Sequence, residues 1–208
     1  MLLSLKHKFV FIHIPKTGGT SIRQVLEEYS DDIRPHLTKR AKAEVAKLEA
    51  SGLSVGFTHS TLNFAANILD VDLSKFIVVC VVRNPVDRMV SYYKYLRHKD
   101  KEHRLHSLAK SLSFDHFVEN FILDRGHDTR TQFSYFAPNR DLTVKGHAVL
   151  RYENLEPDFA QMQTSLGMPS VRLPRLNQSS TEEVVMSNSH KQYLMDFEAQ
   201  TVELMGYV

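Results

Sequence analysis

Residues Phe9 to Ile22 read FVFIHIPKTGGTSI, and their order decides the fold. The run FVFIHI is almost continuous in β-branched and aromatic side chains, as expected of a strand covered on both faces. Beyond Pro15 the character changes. Lys16, Thr17, Gly18, Gly19, Thr20 and Ser21 form a polar loop with paired glycines, and Ile22, Val25 and Leu26 then recur at helical spacing. Ser21 with Gln24 three residues later predicts a capping box at the head of that helix.

The same grammar returns downstream. KFIVVCVV, Lys75 to Val82, predicts a second buried strand, after which Asn84 is a helix cap, Pro85 a first helical residue and Asp87 a first-turn acid. SVGFTH, Ser54 to His59, predicts a third, shorter strand ahead of the helical STLNFAANIL. HAVLRYENL, His147 to Leu155, predicts a late strand running into a turn. Leu37 to Gly52 reads as an exposed helix ended by Gly52, SFDHFVENFI as an amphipathic helix, and SSTEEVVMSNSHKQYLMDFEAQTVELMG as one long closing helix. Alternating strands and helices predict an α/β, three-layer fold, a central parallel sheet flanked by helices. No repeat, linker or composition break divides the 208 residues, so a single domain over 1–208 is expected.

Composition narrows the function. A net charge of +2, with no basic arm, excludes a general nucleic-acid binder and makes any anion site local. The lone cysteine, Cys80, permits no intrachain disulfide and sits within FIVVCVV as a small hydrophobe. MLLSLKHK is too short for a signal peptide and no apolar run is long enough for a bilayer, so no transmembrane segment and a cytoplasmic location are expected.

The loop's chemistry suits a phosphate. Glycines after a strand let main-chain N–H groups approach a ligand, and the following helix turns its positive end toward an anion. Thr17, Thr20 and Ser21 add hydroxyls and Lys16 a mobile charge. Lys16 precedes Gly18 and Gly19, the reverse of the G-x-x-x-x-G-K-[ST] order, which disfavours ATP chemistry. In VVRNPVDRMVSYYKYL, Arg83 follows a strand and Ser91 lies about two turns into the next helix. Ligands of open parallel sheets bind outside the carboxyl ends of the strands, so Lys16, His59 and Arg83 are expected to converge on a nucleotide with two separate phosphate groups. No His/Asp/Glu cluster has metal-ligand spacing, and no metal is expected.

IPKTGGTS together with RNPVDRMVSYY resembles the sulfotransferase family that uses 3′-phosphoadenosine 5′-phosphosulfate (PAPS), whose fold is P-loop NTPase-like. The resemblance implies that Lys16, Thr17, Gly18, Gly19, Thr20 and Ser21 hold the 5′-phosphosulfate and that Arg83 and Ser91 hold the 3′-phosphate. GFTHSTLNF resembles the segment where the carbohydrate O-sulfotransferase branch, including uronyl and heparan 2-O-sulfotransferases, carries its catalytic histidine, which implies His59. RYENLEPDF resembles that branch's late strand and turn, and LPRLNQS its closing loop. That loop has only Arg172 and Arg175 for cations, and no contact is assigned there. Lacking a membrane anchor and cysteine pairs, the chain resembles a soluble, bacterial-type member.

Sulfuryl transfer, like phosphoryl transfer, asks the protein mainly for positioning and charge stabilisation. His59 is the expected general base toward an acceptor hydroxyl and Lys16 the expected stabiliser of the leaving 5′-phosphate. His13, on the strand, is expected to be structural. A nucleotide or metabolite kinase, or a non-catalytic nucleotide-binding protein on the same fold, are the alternatives. Arg97 to Lys110, RHKDKEHRLHSLAK, is locally basic: it is either a solvated loop or a segment steering an anionic carbohydrate acceptor.

Overall fold

The computed structural model describes residues 1–98, 102–103, 105–123, 130–139, 142–174 and 183–208. The chain forms two compact units, Met1–Val82 with Ser134–Pro174, and Arg83–Phe133 with Arg175–Val208. Among the described residues no helix is long and apolar enough to cross a membrane.

The first unit is built on a four-stranded sheet in the order β1 (Leu2–Ser4), β2 (Phe9–Ile12), β3 (Ile77–Val82), β4 (Gly146–Arg151). β2, β3 and β4 are parallel, with Ile12 opposite Cys80 and Val79 opposite Ala148. β1 runs antiparallel to β2, Leu3 opposite Val10, so the expected parallel sheet carries an antiparallel edge. One face, Phe9, Phe11, Val79, Val81 and Leu150, packs against Ile22, Val25 and Leu26 of helix α1 (Gly19–Glu27) and against Phe159 and Met162 of a later helix, Leu155–Ser165. The other face, Val10, Ile12, Val78, Cys80 and Val82, is equally withdrawn from water, as a sheet covered on both sides requires. Each fully buried Phe, Ile or Leu contributes about 1.5–3 kcal/mol, so these two faces carry the unit's stability. Burial pushes the Cys80 thiol well above its ordinary pKa and leaves it unreactive.

Helix α2 (Lys39–Ala50) buries none of its residues and is capped by Thr38, whose hydroxyl accepts from the Ala41 N–H. Helix α3 (Leu62–Ile68) buries Leu62 and Ala65 and is capped by Thr61. The stretch Ser54 to His59 is not the expected strand: it pairs with no neighbour in the sheet, runs irregularly and ends in a turn. Gly56 weakens strand formation, and Val55 and Phe57, the apolar side of the alternation, are only half-buried, so one covered face never forms.

The second unit contains α4 (Pro85–His98), α5 (His106–Ser111) and α6 (Phe114–Leu123), followed by α7 (Gln132–Phe136), which begins in this unit and ends in the first. Leu155–Ser165, in the first unit, is α8; the closing helices of the second unit are α9 (Asn188–Phe197) and α10 (Ala199–Met205). Met89, Tyr93 and Leu96 of α4 meet Phe114, Phe117, Val118 and Phe121 of α6 and Leu194 of α9 in one apolar cluster. Of the single closing helix expected from Ser179 to Gly206, 179–182 lie outside the described residues, 183–187 are not helical, and the remainder is broken at Glu198, whose backbone leaves the helical region while its carboxylate turns inward. Helix α8 was not apparent in the sequence as a helix.

Within the basic segment, Lys99, Asp100, Lys101 and Arg104 lie outside the described residues, as do Arg175 to Ser179 of the closing loop. Arg97 is drawn into the fold. Its Nη1 donates to the Tyr93 hydroxyl and to the Ala109 carbonyl, each at 2.9 Å, and the guanidinium stacks over the Tyr93 ring. Its charge ties α4 to α5 and does not extend into solvent as a steering group would.

Candidate active site

β2 ends at Ile12, and the chain passes through buried His13 and Ile14 into the glycine loop. Two loop residues adopt left-handed backbone, Lys16 at φ 67° and Gly18 at φ 81°. Left-handed residues interleaved in a loop turn successive N–H groups toward one concave side, a geometry suited to anions. The buried Thr17 braces the turn by donating its hydroxyl to the Ile14 carbonyl at 3.0 Å, so this hydroxyl serves the loop itself.

α1 begins at Gly19, two residues before the Ser21 capping box predicted from the sequence, with Gly18 as its cap and no side chain accepting from its first turn. The glycines are required by their neighbours. A Cβ at Gly19 would fall 2.6 Å from His13 Cδ2, and one at Gly18 would fall 2.5 Å from Tyr152 Cδ2. Thr20 is exposed and Ser21 half-buried on the first turn.

His59 joins this loop through the turn before α3. Its Nδ1–H donates to the main-chain oxygen of His13 at 2.9 Å, and the two imidazoles lie 4.8 Å apart. A carbonyl oxygen only accepts, so the proton sits on Nδ1 and Nε2 is the basic nitrogen. The preceding residue is held too: Arg23 of α1 donates from Nη1 to Thr58 Oγ1 at 3.1 Å while its Nε donates to Glu27 at 2.8 Å. Burial, followed by repulsion from His59 when it is protonated, lowers the pKa of His13 from 6.5 to about 3, so His13 is neutral in the folded protein. His13, expected to be structural, is buried just past the end of β2, and its carbonyl accepts from the neighbouring histidine.

Arg83 and Ser91 belong to the second unit. Arg83 is the residue after β3, half-buried, and Ser91 is half-buried on α4. Asn84 caps α4 as expected, its Oδ1 accepting from the Val86 N–H at 2.9 Å, with Pro85 first in the helix. The main chain of Arg83 is gripped by Gln132, which accepts from the Arg83 N–H through Oε1 and donates from Nε2 to the Arg83 carbonyl, both at 2.9 Å. The other arginine of RNPVDR, Arg88, is buried and donates from Nη1 to Glu198 Oε1 at 2.7 Å. Arg88 therefore belongs to an internal ion pair, and Arg83 is the less buried of the motif's two arginines.

Gln132, Glu198, Arg23 and Tyr152 were not apparent as contributors from the sequence. Their only signal is polarity within otherwise amphipathic stretches.

The sulfotransferase family model matches residues 1–204. The chain belongs to the sulfotransferase family. An uncharacterized protein of Archaeoglobus fulgidus is 32% identical to this sulfotransferase-family chain over 108 residues, 51% of this chain and 81% of that protein. A crystal structure of mouse sulfotransferase SULT7A1 complexed with PAP is similar over 94% of this chain, with 16% identity and a TM-score of 0.42. The chain spans 65% of that mouse enzyme's length. Within the sulfotransferase chain, Lys16 to Ser21 and His59 stand in one unit, linked through His13 and Ile14, whereas Arg83 and Ser91 stand in the other.

Proposed function

We propose that this chain transfers a sulfuryl group from PAPS to an acceptor hydroxyl on a carbohydrate. Family membership supports sulfuryl transfer, and the observation that supports the role given to His59 is its Nδ1 hydrogen bond to the oxygen of His13, which leaves Nε2 as the basic nitrogen.

His59 Nε2 takes the proton of the acceptor hydroxyl as that oxygen attacks sulfur in line. The new O–S bond forms as the bond from sulfur to the bridging oxygen of the 5′-phosphate breaks, and the electron pair leaves with that phosphate. Lys16 stabilises this developing charge, aided by the N–H groups of Gly18 to Ser21 at the head of α1. Arg83 and Ser91 bind the 3′-phosphate, and that contact distinguishes PAPS from nucleotides with one phosphate position. The products are a sulfate ester and adenosine 3′,5′-bisphosphate.

The test is incubation with radiosulfur-labelled PAPS and a panel of neutral, uronate-bearing and sulfated oligosaccharides, beside thermal unfolding with adenosine 3′,5′-bisphosphate or with ATP and magnesium. Label transfer to a glycan and stabilisation by the bisphosphate are expected. Stabilisation by ATP with magnesium alone would overturn the reading in favour of a kinase.

A further inference from the structure

Arg83 owes its backbone position to a buried relay that begins far along the chain. Glu198, at the break between α9 and α10, accepts from Arg88 Nη1 at 2.7 Å, from the Thr201 hydroxyl at 2.8 Å, and from the main-chain N–H of Gln132 at 2.9 Å. Thr201 Oγ1 in turn accepts from the Phe133 N–H at 3.2 Å. These contacts pin the head of α7, and the Gln132 side chain reaches from it to both main-chain polar groups of Arg83. Gln132, Glu198, Thr201 and Arg88 are all at most 5% exposed.

A buried ion pair is weak support for stability, since apolar side chains of similar volume fill such a space at no loss. What the polar version supplies is direction. The two Gln132 bonds hold the peptide groups on either side of the Arg83 Cα, at the point where β3 gives way to α4, and so aim its side chain before a ligand arrives. A group held in its bound orientation loses less entropy on binding.

We propose that Gln132, itself held by Glu198, is a positioning residue for recognition of the donor's 3′-phosphate, acting through the backbone of Arg83. The inference rests on the proposed role of Arg83. Glu198 meets Gln132 only through its main-chain N–H, so a side-chain substitution at 132 removes the grip on Arg83 and keeps the Arg88 to Glu198 pair.

The experiment is calorimetric titration of adenosine 3′,5′-bisphosphate and of AMP into the wild type, Gln132→Met and Gln132→Asn, with thermal unfolding of each variant. Gln132→Met is expected to weaken the bisphosphate about tenfold and AMP less than about twofold, since the Arg83 main chain loses both of its Gln132 bonds and its side chain must then be ordered on binding, a cost that falls only on the ligand carrying a 3′-phosphate. Gln132→Asn keeps the amide but is one methylene too short for both bonds; it is expected to weaken the bisphosphate in the same selective manner and to supply the readout if the methionine variant does not fold. An equal loss for both ligands, or no loss for either, would overturn the positioning role while leaving the donor site intact. A wild type that does not prefer the bisphosphate over AMP would overturn the role of Arg83, and the inference with it.

Discussion

The Nδ1–H of His59 donates to the main-chain oxygen of His13 across 2.9 Å, and the next carbonyl along the chain, that of Ile14, receives the hydroxyl of Thr17. The base candidate and the glycine loop are therefore anchored on consecutive peptide groups just past the end of one strand. A shift of that strand end moves both together.

His59→Ala is expected to lower turnover by about a hundredfold to ten-thousandfold, the usual share of a general base, and to leave bisphosphate affinity within about twofold. Single-turnover kinetics beside calorimetry separate the two effects. Near-normal turnover with a true acceptor would move the base to another residue.

Lys16→Ala is expected to depress turnover by more than it weakens bisphosphate binding, because its charge is needed most where negative charge develops in the transition state. Arg83→Ala should do the reverse, weakening the bisphosphate while AMP is bound nearly as before. A wild type saturated at a hundredfold excess over Kd should gain about 2.7 kcal/mol of stability, read as a rise in Tm.

Gly19→Ala would place its methyl 2.6 Å from His13 Cδ2, against a ring that is already buried. Either α1 or His13 must move, and His59 is bonded to His13. The variant is expected to lose about 1–3 kcal/mol of stability, the usual cost of overpacking, and to lose turnover as well. Gly56→Ala, where an added Cβ meets nothing within 4 Å and the backbone, like that of Gly19, is not left-handed, is the control. Equal turnover losses in the two variants would refute the steric account.

The lowered pKa of His13, about 3 against 6.5, links folding to pH. Between these values the unfolded chain holds a proton there that the folded chain does not, so stability falls as pH drops through that window and is unaffected by this group above pH 6.5. The slope reaches about 1.4 kcal/mol per pH unit. His13→Phe, which keeps the carbonyl that receives His59, should flatten the wild-type slope between about pH 6.5 and 5, measured by urea unfolding. An unchanged slope would place the linked proton elsewhere.

Arg88→Met should cost about 3–5 kcal/mol, because it leaves Glu198 charged and buried without its partner. Adding Glu198→Gln should recover part of the loss, since the amide still accepts from Thr201 and from the Gln132 N–H. Chemical denaturation of the single and double variants measures the coupling.

Much of this protein was legible locally. The apolar runs at Phe9 and Ile77, the glycine loop, the Asn84 cap and the stripe Ile22, Val25, Leu26 each express a rule that acts over a few residues, and the structure shows β2, β3, α1 and α4 where those rules point. Local rules also misled. The alternation in Ser54 to His59 resembled a strand but found no partner, and the apolar spacing of the last segment concealed its break at Glu198.

Sequence alone determined the alternating α/β order, the place of a glycine loop after the first buried strand, and a short list of chemical residues that includes Lys16, Arg83 and His59. Tertiary structure alone decided that β1 is an antiparallel edge, that His59 is oriented by a carbonyl 46 residues away, and that Arg83 is held by Gln132 from 49 residues away. It also decided that Arg88 is neutralised by a carboxylate 110 residues away. Side-chain spacing records which face of an element avoids water, whereas a hydrogen bond or buried ion pair depends on two atoms meeting within about 3 Å, which is set only when distant segments pack.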